Sequence, residues 1–212
     1  MNFKNNLHKN YQVIQEPEEV SQMFQALFDF IRLLVDIPKS DQEQCCRFFK
    51  PIFVKKNALL ESEGTIHRYH NFIVSGHMRN FYHDSDGKEV TTDLNSGPRF
   101  FTSYNSFIQK TVSNENLHCI TDCKLLRINR QDNEIIARNG ARSQEYVEKI
   151  LQYNLEANRQ RVIDLKTLTA KQRYLKMMQD TPSIIRNVPV AYIASFLGIN
   201  PGSLSRIRQE LL

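Results

Sequence analysis

The sequence predicts an α+β protein. An N-terminal antiparallel β-roll (a double-stranded β-helix or jelly roll) with flanking helices is joined by one long helix to a C-terminal helix-turn-helix. Three observations predict it. Short apolar runs separated by turn residues fill the stretch from Pro51 to Ile128. A stretch without Gly or Pro follows, Ala141 to Leu168, with apolar residues at helical spacing. The final stretch, VAYIASFLGINPGSLSRIRQELL, reads as two short helices around a tight turn.

In chain order, residues 1–16 are polar and Asn-rich and are expected to form a loosely held extension. Val20, Phe24, Leu27, Phe28, Ile31, Leu34 and Val35 then mark a helix that Pro38 stops. Ser40-Asp41-Gln42-Glu43 carries a capping-box pattern for a short helix through Phe49. Strands are expected at Ile52–Val54, Ala58–Leu60, Asn71–Val74, Met78–His83 and Val90–Leu94, with a hairpin turn at Ser85-Asp86-Gly87-Lys88. After an apolar-aromatic segment, Arg99 to Ile108, two more runs follow at Leu117–Ile120 and Leu125–Ile128. A short helix is expected over Gln131–Arg138. The resulting units are an extension (1–16), a β-roll sensor (17–140), a dimerisation helix (141–168) and a helix-turn-helix domain (169–212).

Within the long helix, Leu151, Leu155, Asn158, Val162 and Leu165 alternate spacings of four and three, a coiled-coil seam. One polar residue on such a seam, Asn158, can fix register and partner number, so a parallel homodimer is expected. Tyr174, Leu175 and Met178 mark one face of the next helix. In the last stretch Ile193, Ala194 and Leu197 form an inner face, and Gly198 ends the helix because glycine takes the left-handed conformation without steric cost. Asn200 can cap the second helix and Pro201 suits its first turn. Leu204, Ile207 and Leu211 then face inward, leaving Ser203, Ser205, Arg206 and Arg208 outward.

Composition narrows the function. From Lys166 onward seven Lys or Arg face only Asp180 and Glu210, whereas the first 165 residues carry 21 basic and 21 acidic residues. The excess charge of +5 therefore sits entirely in the segment with the helix-turn-helix, and a polyanion such as double-stranded DNA is the natural partner. No apolar run is long enough to span a membrane, and the N-terminus lacks an apolar signal segment, so a cytoplasmic protein is expected. Cys45, Cys46, Cys119 and Cys123 form no disulfide framework, which fits a reducing compartment.

The stretches FVKKNALLESEG, NFIVSGHMRNFYHDSDGKEV and VPVAYIASFLGINPGSLSRIRQEL, taken together, resemble the Crp/Fnr family of bacterial transcription regulators over roughly residues 25–212. The resemblance implies a homodimer along the long helix, a ligand-sensing roll and paired DNA-reading helices, and it allows RNA polymerase as a further partner. By resemblance Pro201, Gly202, Ser203 and Arg206 meet base edges or phosphates; Ser205, Arg208, Lys171, Arg173 and Lys176 are added as DNA-facing candidates. Two departures stand out. Gly202 occupies a place where many members carry glutamate, and members with a hairpin wing continue beyond the point where this sequence ends, so a pared-down reader is expected.

The sensor departs further. Cyclic-nucleotide binders pair a glutamate on a short helix with an arginine that clamps the phosphate. Here Ser103 and Ser113 stand at those places, so no tight cAMP binding is expected and the effector is unknown. The candidate effector pocket comprises Arg99, Phe101, Thr102, Ser103, Tyr104 and Ser113. No metal or other cofactor is expected: cysteine spacing does not suit an iron–sulfur cluster. Two other readings stay open. One is a metal-dependent cupin-like enzyme using His67, His70, His77 or His83, though no His-x-His triplet occurs. The other is a constitutive DNA-binding module whose roll is only a scaffold, with Phe100, Phe101, Tyr104 and Phe107 as core.

Overall fold

The structure is a computed structural model and describes residues 11–211. In chain order the elements are β1 (Tyr11–Val13), α1 (Pro17–Arg32), α2 (Lys39–Phe48), β2 (Lys50–Val54), β3 (Leu59–Glu61), β4 (Tyr69–Ser75), β5 (His77–His83), β6 (Glu89–Ser96) and β7 (Arg99–Phe101). Then follow α3 (Tyr104–Gln109), β8 (Asn116–Cys119), β9 (Cys123–Asn129), α4 (Arg130–Asn139), α5 (Ser143–Thr167), α6 (Ala170–Asp180), α7 (Pro182–Asn187), α8 (Val190–Leu197) and α9 (Pro201–Glu210).

The strands form two antiparallel sheets, ordered β1-β2-β9-β4-β7 and β3-β8-β5-β6. Strand alternation sends side chains to opposite faces. Ile73 and Leu125 therefore point between the sheets with Ile52, Val54, Met78 and Leu117. Their neighbours Phe72, Leu126 and Ile128 point the other way, onto Phe24, Leu27, Phe28 and Ile31 of α1. The larger sheet is thus buried on both faces, which is why its strands read as continuous apolar runs rather than as alternation. A third core joins Tyr174, Met177, Ile184, Ile193, Ala194, Leu197 and Leu204 of the C-terminal helices to Leu94 and Ile120 of the roll.

Several expectations are corrected. The loose extension assigned to 1–16 is partly a strand: Tyr11 pairs with Val54 and Val13 with Ile52, and Tyr11 packs against the roll's core; residues 1–10 lie outside the described residues. The capping box at Ser40 does not form, because α2 already starts at Lys39 and the Ser40 hydroxyl lies inside the helix, bonding Asp41. The Asp41 carboxylate instead accepts the backbone N–H groups of Ala141 and Arg142, fixing the approach to α5. The hairpin turn is closed one residue earlier than expected, by the Asp84 carboxylate accepting from the N–H groups of Asp86 and Lys88. In α6, Met177 is buried beside Tyr174 while Met178 is exposed, and Leu211 of the expected inner face is 38% exposed, since α9 ends there.

Candidate nucleic-acid interface and effector cavity

The C-terminal pair α8 and α9 follows the spacing read from the sequence. Gly198 closes α8 with φ +64°, and the Asn200 side chain accepts from the Gly202 N–H at 2.9 Å, capping α9 in front of Pro201. Ala194 and Leu204 are fully buried where the two helices meet, with Ile207 packed alongside. Pro201, Gly202, Ser205 and Arg206 are exposed on the outer face. Ser203 and Arg208 are half-buried rather than fully outward. The Ser205 hydroxyl donates to the Pro201 carbonyl at 3.0 Å, so it is spent within the helix. Among the described residues Arg206 makes no side-chain hydrogen bond or ion pair.

Three basic residues of α6 have other engagements. Arg173 donates to the carbonyls of Leu197 (3.0 Å) and Leu168 (2.7 Å), taking up acceptors that helix ends leave orphaned. Lys176 pairs with Asp164 of α5 at 2.6 Å. Lys171 pairs with Glu210 at 3.0 Å, but both are exposed, and such a pair exchanges readily for another anion. Arg173 and Lys176, expected from the sequence as phosphate contacts, are thus engaged within the chain at the helix ends and at Asp164.

Side chains also join α8 to the roll. Arg79 of β5, 2% exposed, lies between the rings of Phe81 (4.1 Å) and Tyr192 (3.5 Å). Its guanidinium donates to His118 Nδ1 at 3.0 Å and to Glu89 at 2.5 Å. The Thr91 N–H donates to the Ser195 hydroxyl at 2.9 Å. Arg161 of α5 donates to the carbonyls of Thr92 and Phe196 and stacks over the Phe196 ring at 4.0 Å. His77 hydrogen-bonds Ser183 of α7 at 2.7 Å.

A cavity of about 690 Å³ lies where β7, α3, α4 and α5 converge on the roll. Arg99, Phe101, Thr102, Ser103 and Tyr104 line it. Ser113 is buried behind it, its hydroxyl 3.4 Å from that of Ser103. The two serines come together, and the residue that completes their cluster is Glu115, missed in the sequence. Its carboxylate accepts from Ser103 (2.8 Å) and Thr92 (2.7 Å). Nothing in the sequence flags this carboxylate, which precedes β8 among asparagines. Arg99 donates to Asn154 of α5 at 3.4 Å. The lining also includes Leu151, Leu155 and Asn158, residues assigned above to the dimer seam.

On α5 no residue is fully buried; Leu151, Leu155, Val162 and Leu165 are 42, 71, 51 and 44% exposed, and Asn158 is exposed. Among the described residues no group of three or more His, Cys, Asp or Glu comes together as a metal site. No helix there is long and apolar enough to cross a membrane.

Solved structures match this arrangement. FixK2 from Bradyrhizobium japonicum superposes with a TM-score of 0.66 at 16% identity, covering 77% of this chain and 84% of that one. The c-di-GMP-responsive global regulator CLP of Xanthomonas campestris gives 0.64 at 14% identity, over 82% and 91%. The Thermus thermophilus catabolite activator protein gives 0.51 at 15% identity, over 90% and 86%. The chain has the Crp/Fnr regulator fold. No protein-family model matches the sequence, and no curated protein matches it. At these identities the regulator fold is what the chain shares with these proteins. What each regulator binds is said of that regulator.

Proposed function

We propose that the protein is a DNA-binding transcriptional regulator acting as a homodimer on a near-palindromic operator. The observation that carries this is the α8–Gly198–Asn200–α9 unit, with exposed Arg206 on its outer face, at the end of a basic segment appended to a sensor-type roll. In this reading the two α9 helices enter successive major grooves about 34 Å apart. Arg206 reads a guanine through its O6 and N7, worth about 1–3 kcal/mol of discrimination. Lys171, released from Glu210, and Arg208 hold phosphates, and the exposed apolar stripe of α5 pairs with that of a second copy around Asn158. Gly202, whose Cβ position has only the Asn200 carboxamide oxygen at 3.3 Å, leaves that part of the surface without a base-reading side chain.

Cyclic AMP is not the effector in this reading. A cyclic phosphate in the roll would meet Glu115 beside the two serines where a cation is required, and like charges at that range repel. A cupin-type enzyme is disfavoured because the histidines serve packing and hydrogen bonding: His70 lies against Phe100 and Phe107, His118 accepts from Arg79, and His77 bonds Ser183.

The test is selection of duplexes from a random pool by the full chain. Enrichment of an inverted repeat is expected, with Arg206→Ala losing selectivity at one base-pair step in each half-site. Equal enrichment by parent and variant would remove Arg206 as the reader; no enrichment by either would overturn the DNA-binding reading.

A further inference from the structure

The turn from β8 to β9 carries a pair of thiols that the regulator reading leaves unused. Cys119 ends β8 in the smaller sheet, and Cys123 opens β9 in the larger one. Both side chains are 0% exposed and lie in the core between the sheets, with Ile52, Val54, Met78 and Leu125. The two thiols meet there, that of Cys119 hydrogen-bonding the Cys123 sulfur. Cys123 Sγ also lies 3.3 Å from the Thr121 carbonyl oxygen and 3.6 Å from that of His77. Only Ile120, Thr121 and Asp122 separate the pair in the chain, and Asp122 is exposed, so a single turn covers the site. Cys45 and Cys46, by contrast, are neighbours within α2, where successive side chains diverge.

The surroundings favour a charged sulfur on one member of the pair. The bond from the Cys119 thiol holds Cys123 below the usual thiol range, while the same bond and burial hold Cys119 well above it. Arg127 lies further along β9, is 5% exposed, and its Nε and Nη2 atoms have no hydrogen-bond partner. Its positive charge reaches Cys119. A nearby guanidinium favours thiolate over thiol, which is the state that reacts. Neither sulfur meets bulk solvent, so the site selects for an oxidant as small as a hydroperoxide.

We propose that Cys119 and Cys123 form a redox modification site, joined into a disulfide by a hydroperoxide, and that the link loosens the seat of the C-terminal helices on the roll. This goes beyond the regulator reading and does not depend on it. The Cys123 thiolate attacks one peroxide oxygen. The O–O bond breaks, the sulfur is oxidised to the sulfenic acid, and the leaving hydroxide takes up the proton that Cys123 released. The Cys119 sulfur then attacks the Cys123 sulfur; the S–O bond breaks, and the hydroxyl leaves with the Cys119 proton as water. Two thiols and one peroxide thus give one disulfide and two waters. Closing the link draws the sulfurs to about 2.05 Å. Cys123 has little room to move, because the Gly76 backbone packs directly on it: a Cβ at Gly76 would lie 2.6 Å from Cys123 Sγ and 2.9 Å from its Cα. The Cys119 side therefore shifts and takes Ile120 with it. Ile120 is buried in the core shared with the C-terminal helices, and its N–H donates to the His77 carbonyl at 2.8 Å. His77 in turn bonds Ser183 of α7 at 2.7 Å.

The test treats the folded full chain with hydrogen peroxide, alkylates it in urea and digests it with trypsin without reductant. Lys110 and Lys124 flank the pair, so both thiols leave in one peptide, 111–124. That peptide is expected to carry no alkyl group and to be lighter than its reduced form by two hydrogens, with dithiothreitol restoring both alkylation sites. Cys119→Ser is expected to stop at a sulfenic acid on Cys123, which dimedone traps. A doubly alkylated peptide from the folded chain, under conditions where the urea-unfolded chain forms the link, would overturn the proposal. Limited proteolysis of the parent reads the second part. Residues 169–212 are expected to be cut at least about threefold faster after oxidation than after reduction, and at an unchanged rate in peroxide-treated Cys119→Ser. Equal rates in the linked and reduced parent would overturn the loosening. The double variant Cys45→Ser, Cys46→Ser is expected to keep both responses; their loss there would assign the chemistry to α2 and overturn the site.

Discussion

Gly76 shows how much a single position can constrain the roll. It joins β4 to β5 with φ +106°, and a Cβ there would lie 2.6 Å from the Asp122 carbonyl oxygen and 2.6 Å from Cys123 Sγ. Both the backbone angle and the space exclude a side chain. Gly76→Ala is expected to cost at least about 2 kcal/mol, read as a lowered midpoint in urea denaturation. A smaller effect marks the second turn: Asn200→Ala removes the cap of α9 and is expected to cost about 1 kcal/mol, with the overall fold retained. Asn200 was visible in the sequence, because a cap residue before proline is a local signal. Glu115 was not, because its significance lies in neighbours that are distant in sequence. The same limit explains Arg173 and Lys176: charge was legible, but the carbonyls of Leu168 and Leu197 and the Asp164 carboxylate that occupy them were not.

Helix α5 was the most legible element and remains incompletely used within one chain. Its length and stripe followed from periodicity, and the stripe is largely exposed. Leu155, 71% exposed, contributes little to the single chain, so Leu155→Glu is expected to leave the circular dichroism spectrum unchanged while shifting the sedimenting species from dimer to monomer. Unchanged sedimentation would place the dimer contact elsewhere. The attachment of α8 to the roll was not legible at all. Arg79, Tyr192, Ser195 and Arg161 are scattered through three segments, and each reads locally as a surface residue. Yet their contacts and the shared core with Leu94 and Ile120 tie the C-terminal helices to the smaller sheet. Tyr192→Ala removes the ring from Arg79 and is expected to separate one cooperative thermal transition into two, the C-terminal helices melting first.

At the scale of the molecule, buried titratable groups set how stability depends on pH. Burial lowers His70 and His118 to about 4, His118 with added repulsion from Arg79, and lowers His67 and His77 in the same direction. In the unfolded chain these imidazoles titrate near 6.5. Between pH 6.5 and 4 the unfolded chain therefore takes up protons that the folded chain declines, and stability falls as pH falls. Burial raises Glu61 from 4.5 to about 7, which acts oppositely: its contribution is full below pH 4.5 and is lost as pH rises through 7. Two histidines held near 4, with two more shifted the same way, outweigh one glutamate, so the urea midpoint is expected to drop from pH 6.5 to pH 5. His118 has a specific part in this. Its Nδ1 accepts from Arg79 at 3.0 Å, and its ring meets Tyr192 edge-on, 6.1 Å between centroids. Protonation would set two cations side by side beneath α8, with only Glu89 near enough to offset them. His118→Gln keeps an acceptor for Arg79 but cannot take the proton. It is expected to flatten the acid limb and to preserve a single thermal transition at pH 5, where the parent begins to separate. An acid limb as steep in the variant as in the parent would assign the loss to the other histidines.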